Sequence, residues 1–153
     1  MEIALYQPDI PQNTGTLLRL GACMGIAVHI IEPAGFHWSD KNLKRSGMDY
    51  AGHVEVTRHA SFDRFLADRP EGRLVLLTTR AATAYPEFEF RGDDMLLLGR
   101  ESAGVPDDVH GVADARIAVP MAPGMRSLNV AVAGAMVLGE ALRQTGGFAS
   151  IRP

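Results

Sequence analysis

The chain has 153 residues, enough for one domain of ordinary size and too few for two independent cores. Its hydrophobic fraction of 46% and charged fraction of 22% are globular values and exclude long disorder. The net charge of −3 excludes a uniformly basic nucleic-acid coat but is compatible with a local basic patch. The longest apolar stretch, residues 130–139, is about half the length that a membrane span needs.

The first residues show no pattern of an export signal, and a single cysteine, Cys23, excludes an internal disulfide. These features predict a soluble, cytoplasmic protein. Cys23 falls on an amphipathic helical pattern, where we expect it to be a core thiol. The five histidines show no i,i+4 pair and no H-E-x-x-H motif, so no metal site is predicted.

Short aliphatic runs alternate with helical patterns along the chain. Such runs are typical of strands buried on both faces, as in a parallel sheet. We predict strands at residues 3–6, 28–31, 74–77, 95–98 and 117–119, and a weaker one at residues 54–57.

Three segments have the apolar spacing of helices. The first is predicted over residues 14–24, with Asn13 as its N-cap and Gly25 as its C-cap. The others are predicted over residues 61–68 and 129–145. The alternation of strand and helix predicts an α/β fold, a mostly parallel sheet with helices on both faces, formed by residues 1–153 as a single domain.

Ligands of open parallel sheets bind beyond the carboxyl ends of the strands, so the loops after strands are informative. The loop of residues 7–15 contains Pro8 and Pro11 and is followed by Arg19; it is a ligand loop or an ordinary turn with a solvated arginine. Thr78 and Thr79 close another strand, where their hydroxyls contact a ligand or satisfy strand-end backbone groups.

Two further loops are unusual. Residues 98–106 are glycine-rich, which predicts either close approach of the backbone to a bound molecule or a tight turn. The segment is not a P-loop, and the chain has no G-x-G-x-x-G, which disfavours nucleoside triphosphates and dinucleotides. Residues 119–129 bring Ser127 and Asn129 to the start of the last helix, where either could serve only as an N-cap.

Lys41, Lys44 and Arg45 have spacings of three and four, which would place them on one face of a short helix. Phe36 and Trp38 lie just before them. Basic residues beside aromatic ones suit phosphate contact and base stacking. The sequence is equally compatible with a solvent-exposed basic face beside a partly buried tryptophan.

Taken together, these segments resemble the SPOUT superfamily of RNA methyltransferases. The match runs through Pro-Gln-Asn-Thr-Gly at residues 11–15 with Arg19, Leu-Gly-Arg-Glu-Ser-Ala-Gly-Val-Pro at 98–106, Val-Pro-Met at 119–121 and Ser-Leu-Asn-Val at 127–130. A chain this short, without a separate RNA-binding domain, is most similar to the family that methylates the wobble ribose of leucine tRNAs.

The resemblance implies a C-terminal deep trefoil knot, S-adenosylmethionine as methyl donor, tRNA as substrate and a homodimer. It implies a catalytic group of Arg19, Asn13, Ser127 and Asn129. The spacing of Lys41, Lys44 and Arg45, and not the resemblance, is the basis for predicting them as RNA contacts. Implied cofactor contacts are Leu77, Thr78, Gly99, Glu101, Gly104, Val119, Met121, Ser127 and Leu128. Methylation of a ribose elsewhere in tRNA or in ribosomal RNA, or an idle RNA-binding dimer module, are the alternatives.

Transfer of a methyl group from a sulfonium to a ribose hydroxyl needs alignment and the removal of one proton. A guanidinium stays protonated in proteins and is a poor proton acceptor. We therefore expect Arg19 to stabilise the developing alkoxide and to bind the neighbouring phosphate. The proton would leave through water or Ser127.

Overall fold

The computed structural model describes residues 1–37 and 51–151. Within these ranges the strands are β1 (Glu2–Tyr6), β2 (Val28–Ile31), β3 (Val56–His59), β4 (Leu74–Leu77), β5 (Thr83–Ala84), β6 (Met95–Leu98) and β7 (Ala115–Ala118). The α-helices are α1 (Pro11–Met24), α2 (Phe62–Asp68), α3 (Asp107–Val112) and α4 (Val130–Thr145). Short 3-10 helices cover Ala51–His53, Tyr85–Glu87 and Gly147–Ser150.

The strands form one seven-stranded sheet in the order β3-β2-β1-β6-β4-β7-β5, and every described pair of neighbours is parallel. The predicted α/β fold with a parallel sheet is therefore confirmed. Strands β6 and β7 follow β5 in sequence but lie inside the sheet, so the last part of the chain returns to its middle. No helix within the described ranges is long and apolar enough to cross a membrane.

Helices cover both faces of the sheet because the side chains of the strands alternate between them. On one face Leu5 and Leu98 pack with Leu17 of α1 and Val137 of α4. On the other face Leu97 packs in a cluster with Phe65 of α2, Val109 of α3 and Val105 just before α3. The two cores fix the strand register and therefore the positions of the loops at the carboxyl edge.

The structure differs from the sequence prediction mainly at short or exposed elements. β3 begins two residues later than predicted, because it is an edge strand with mostly exposed side chains and no continuous apolar run. β7 lies at Ala115–Ala118, shifted toward the N-terminus. The two-residue strand β5 and the six-residue helix α3 were not predicted, since neither is long enough to show a hydrophobic period.

The N-terminus of α1 also corrects a prediction. The helix begins at Pro11 with Ile10 as the N-cap, so Asn13 is not the cap. Proline suits the first helical position because its missing N–H would have no partner there and its φ is already helical. Gly25 does end the helix in the left-handed conformation, with φ of 64°. Cys23 is exposed, so its assignment to the core is wrong.

Candidate active site

A cavity of about 430 Å³ lies at the carboxyl edge of the sheet, where loops after β4, β6 and β7 converge beside the start of α1. This size is typical of small-molecule sites. Its lining comprises Ile10, Asn13, Leu76, Leu77, Thr78, Thr79, Gly99, Arg100, Glu101, Ser102, Ala103, Gly104, Val105, Val119, Met121, Ser127, Leu128, Asn129, Val130 and Ala133. Three loops far apart in sequence therefore form one continuous wall.

Every residue that the resemblance implies for the cofactor lines this cavity, and so do Asn13, Ser127 and Asn129. Arg19 does not line it. It is exposed on α1, six residues beyond Asn13 and thus about 9 Å further along the helix axis. Lys41, Lys44 and Arg45 lie outside the described residues. The roles of all these side chains stay predictions.

The glycine-rich loop closes on itself through its backbone. Arg100 and Gly104 exchange two N–H···O hydrogen bonds of 3.0 and 2.9 Å, and Gly104 has φ of 65°. A Cβ on Gly99 would lie 2.8 Å from the carbonyl carbon of Gly104. Both glycines are therefore needed for this turn, which presents backbone to the cavity.

Thr78 shows that a loop residue can satisfy local backbone and still face the cavity. Its Oγ1 accepts a hydrogen bond from the Arg80 N–H at 3.2 Å, and its own N–H donates to Ile117 at 2.9 Å. Thr78 therefore does satisfy backbone groups at the end of the strand, as one of the two interpretations of the sequence predicts. Thr78 and Thr79 both line the cavity as well.

An asparagine pair joins the starts of α4 and α1. Asn129 is the N-cap of α4, because its Oδ1 accepts from the N–H groups of Ala131 and Val132 at 2.9 and 3.2 Å. These contacts fix the amide so that its Nδ2 donates to Asn13 Oδ1 at 2.8 Å. The capping interpretation is correct for Asn129 but incomplete, since the same side chain positions Asn13 at the cavity.

Two carboxyl groups meet at the cavity wall. The Asp9 N–H donates to Glu101 Oε2 at 3.3 Å, and the Glu101 N–H donates to Asp9 Oδ1 at 3.1 Å. The hydroxyl of Ser102 also donates to Asp9. Asp9 was not predicted as a site residue, because nothing in the sequence indicates a contact with a side chain 92 residues away.

The surroundings of Asp9 and Glu101 shift their two pKa values in opposite directions. A hydrogen bond with the Glu101 side chain is the main cause that lowers the pKa of Asp9. Burial, followed by the hydrogen bond with Asp9, raises the pKa of Glu101. The pKa values of these two neighbouring acids are therefore shifted in opposite directions.

Fold and site define a class. The sequence model described as the SpoU rRNA methylase family matches residues 1–139, and the chain belongs to this family. A solved structure described as the SpoU methyltransferase AviRb from Streptomyces viridochromogenes in complex with AdoMet matches with a TM-score of 0.78 and 25% identity. That match covers 94% of this chain and 60% of that one.

Within the family, the chain is similar to one kind of enzyme over nearly its full length. It is 61% identical to the tRNA (cytidine(34)-2′-O)-methyltransferase of Beijerinckia indica subsp. indica, covering 97% of this chain and 94% of that protein. The protein of the same name from Escherichia coli K12 is 41% identical, with coverage of 95% and 94%. A solved structure described as giving insights into 2-OH methylation of C/U34 on tRNA matches with a TM-score of 0.88 and 42% identity, covering 94% of each chain.

Proposed function

We propose that this protein transfers a methyl group from S-adenosylmethionine to the ribose 2′-hydroxyl of the wobble nucleotide, cytidine or a modified uridine at position 34, in leucine tRNAs. The observation that carries the proposal is the carboxyl-edge cavity, whose wall contains every implied cofactor residue. The similarity to tRNA (cytidine(34)-2′-O)-methyltransferases supports the acceptor. This substrate makes the cytoplasm the expected location.

The cavity has the chemistry that S-adenosylmethionine requires. Leu77, Val119 and Leu128 supply an apolar wall for a purine, and the turn at Gly99 and Gly104 supplies backbone groups for polar atoms. When bound, the cofactor supplies an activated methyl group on a sulfonium. The protein then has to align the ribose and receive one proton.

Three of the four proposed catalytic residues lie at the cavity, and the fourth lies outside it on α1. Asn13, Ser127 and Asn129 lie at the cavity, where they can orient the ribose. Arg19 lies on the exposed face of α1, which suits contact with the phosphate of a large ligand. Arg19→Lys should lose most activity because the guanidinium fork is lost while the charge remains. Turnover near that of the wild type would contradict this role.

The proposal includes the trefoil knot. β6 lies between β1 and β4, and β7 lies between β4 and β5, so both late strands are inserted among earlier ones. The segments after these two strands then meet at the same cavity. A knotted crossing of these segments is compatible with this strand order and would explain how one short domain, residues 1–153, builds the whole pocket.

A homodimer is also part of the proposal. Val132 and Met136 lie four residues apart on α4 and are both exposed. The small residues of α4 serve a different contact, since a Cβ on Gly134 would lie 3.0 Å from a methyl carbon of Leu98 in the same chain. We expect the two exposed apolar residues to be covered by a second copy, and Met136→Glu to produce monomers in analytical ultracentrifugation.

Contact with tRNA through Lys41, Lys44 and Arg45 stays a prediction, because these residues lie outside the described ranges. Replacing all three with alanine should reduce the salt dependence of tRNA binding, since fewer counterions are released. An unchanged salt slope would support the solvated-face interpretation.

The test of the proposed function is transfer of radiolabelled methyl from S-adenosylmethionine to bulk tRNA, taken from cells that lack the protein. Nuclease mapping should place the label in a 2′-O-methylated nucleoside at position 34 of leucine tRNAs. Label at another position would show that the enzyme methylates a different nucleotide. Absence of both transfer and cofactor binding would support the idle module.

A further inference from the structure

We propose that Asp9 is a positioning residue for methyl transfer, which holds the start of α1 at a fixed distance from the glycine-rich loop of residues 98–106. This inference rests on the proposed function, since it concerns how two walls of the same cavity are aligned. Asp9 does not itself line the cavity, whereas Asn13 on α1 and Glu101 in the loop both do. The contact between Asp9 and the loop therefore sets the distance between the catalytic and the cofactor-binding sides of the site.

The strand order brings Asp9 and the glycine-rich loop together. β1 and β6 are parallel neighbours, with Leu5 opposite Leu98, so the chain leaves both strands side by side at the carboxyl edge. The Asp9 carboxylate accepts from the Glu101 N–H at 3.1 Å and from the Ser102 hydroxyl. The Asp9 N–H donates to Glu101 Oε2 at 3.3 Å. One residue of the first loop therefore contacts two successive residues of the other loop.

A third loop limits the movement of Asp9 from the opposite direction. Gly35 follows β2, which lies on the other side of β1 from β6. The Gly35 N–H donates to the Pro8 carbonyl at 2.9 Å, and a Cβ on Gly35 would lie 2.8 Å from Asp9 Cβ. Asp9 is therefore enclosed between the loops of both neighbouring strands. A side chain that is already confined loses little further entropy when it orders a second loop.

Asp9 joins two segments that are each folded by contacts of their own. The glycine-rich loop closes through the paired backbone hydrogen bonds of Arg100 and Gly104. The start of α1 is held by Thr14, whose N–H and hydroxyl donate to the Ile10 carbonyl at 3.2 and 3.3 Å. Loss of the Asp9 carboxylate should therefore change the distance between the two segments more than the shape of either.

This arrangement predicts a loss of rate rather than of cofactor affinity. The residues implied for the cofactor lie at the end of β4 or in the loops after β4, β6 and β7, whereas Asn13 lies on α1. A misplacement of about 1 Å between reacting groups can cost about 10²-fold in rate. Asp9→Ala should therefore lower the single-turnover methylation rate at saturating tRNA and S-adenosylmethionine by about 10- to 100-fold.

Cofactor affinity of Asp9→Ala, measured by calorimetry, should stay close to that of the wild type. Asp93→Ala replaces an exposed aspartate at the amino edge of the sheet and is the matched control, which should keep the full rate. An Asp9→Ala variant with the wild-type rate at saturation would overturn the inference. A loss of cofactor affinity that accounts for the whole effect would overturn it as well.

Asp9→Asn separates the placement of the loop from the charge of the carboxylate. The amide oxygen can accept from the Glu101 N–H, and the amide nitrogen can donate to the Ser102 hydroxyl, which is both donor and acceptor. Asp9→Asn should therefore be much faster than Asp9→Ala. Equally slow variants would overturn the inference, because the charge or the proton affinity of Asp9 would then be what matters.

Ser102→Ala removes one of the contacts from the other side. It should slow methyl transfer less than Asp9→Ala does, because the hydrogen bond from the Glu101 N–H remains. In the Asp9→Ala background it should have no further effect, since the two side chains act through one contact. Losses that multiply in the double variant would overturn the inference.

Amide hydrogen exchange followed by NMR supplies a readout that needs no turnover. The Glu101 amide should exchange faster in Asp9→Ala than in the wild type, whereas the Gly104 amide, which is bonded within its own loop, should be unchanged. Equal exchange of the Glu101 amide in both proteins would overturn the inference. A wild type that shows this protection but methylates no tRNA would refute the proposed function, whereas a fully active Asp9→Ala refutes only the positioning role.

Discussion

The two edges of the sheet hold acids in different environments, since the acid at the amino edge is fully buried and the two at the carboxyl edge are partly exposed. At the amino edge, Asp94 precedes β6 and is 0% exposed. The Arg73 guanidinium, just before β4, donates to both of its oxygens at 2.8 Å, and the Arg91 N–H adds a third hydrogen bond. At the carboxyl edge, Asp9 faces another acid, Glu101, across the cavity wall.

The ion pair at the amino edge stabilises the fold, whereas the acids at the carboxyl edge lie beside the cavity. The hydrogen bond with Asp94 is the main cause that raises the pKa of Arg73, so the guanidinium stays charged. The acid pair at the carboxyl edge has no cation among the described groups that shift its pKa values, and the two pKa values move in opposite directions. The Arg73–Asp94 ion pair links the starts of two neighbouring strands, whereas Glu101 at the other edge lines the cavity.

The largest expected effect on stability is at the amino edge. Arg73→Ala leaves the fully buried Asp94 carboxylate without its cation, which should cost about 3 kcal/mol of unfolding free energy. Methyl transfer per folded molecule should be unchanged. Urea unfolding measures the loss, and Arg64→Ala is the control, because its pair with Asp68 is exposed and should contribute little. An equal loss of unfolding free energy in Arg73→Ala and Arg64→Ala would show that the buried ion pair contributes no more than the exposed one.

The next effect is at the glycine-rich loop of the carboxyl edge. A methyl group at Gly99 would collide with Gly104, and overpacking of this kind costs about 1–3 kcal/mol. Gly99→Ala should therefore weaken cofactor binding by about tenfold or more in calorimetry. Gly111→Ala in α3 is the control, since a Cβ there meets nothing within 4 Å. Equal affinity in both variants would show that the turn does not shape the pocket.

A smaller effect is expected at Asn129, where capping and positioning can be separated. Asn129→Ala loses the cap of α4 and should cost about 1 kcal/mol in urea unfolding. Asn129→Ser keeps a capping oxygen but cannot reach Asn13 with an amide, so it should be more stable than the alanine variant. Both should be slow in methyl transfer. A fully active serine variant would show that the contact with Asn13 is only structural.

The smallest effect is a pH dependence of stability. The folded pKa of Glu101 is raised, so its favourable contribution is complete below its ordinary pKa of 4.5 and is lost as pH rises through the folded value. Asp9 has the opposite sign, because its lowered pKa contributes above 3.8 and is lost on acidification. The stability of Glu101→Gln relative to the wild type should therefore improve as pH rises from 4.5. A constant difference would contradict the raised pKa.

The sequence was most informative where local pattern and topology agree. Residues 28–31, 74–77 and 95–98 were predicted with the bounds that the structure shows, because strands buried on both faces are continuous aliphatic runs. The loops after parallel strands were expected to form the site, and residues such as Leu77, Gly99 and Ser127 do line one cavity.

Contacts that depend on the tertiary fold could not be predicted. Asn13 was assigned as a cap because of its residue type, whereas Pro11 starts the helix and Asn13 contacts Asn129, 116 residues away. Cys23 fits the apolar pattern of α1 but lies on its outer face. The pairing of Asp9 with Glu101 arises only when β6 is inserted beside β1.

The proposed function requires the 2′-oxygen of nucleotide 34 to be the methyl acceptor. The most direct measurement compares two leucine tRNAs that differ only in cytidine or 2′-deoxycytidine at this position, incubated with radiolabelled S-adenosylmethionine. We expect label in the tRNA that carries cytidine and none in the tRNA that carries deoxycytidine. Equal labelling of the two would place the methyl group on another atom and refute 2′-O-methylation.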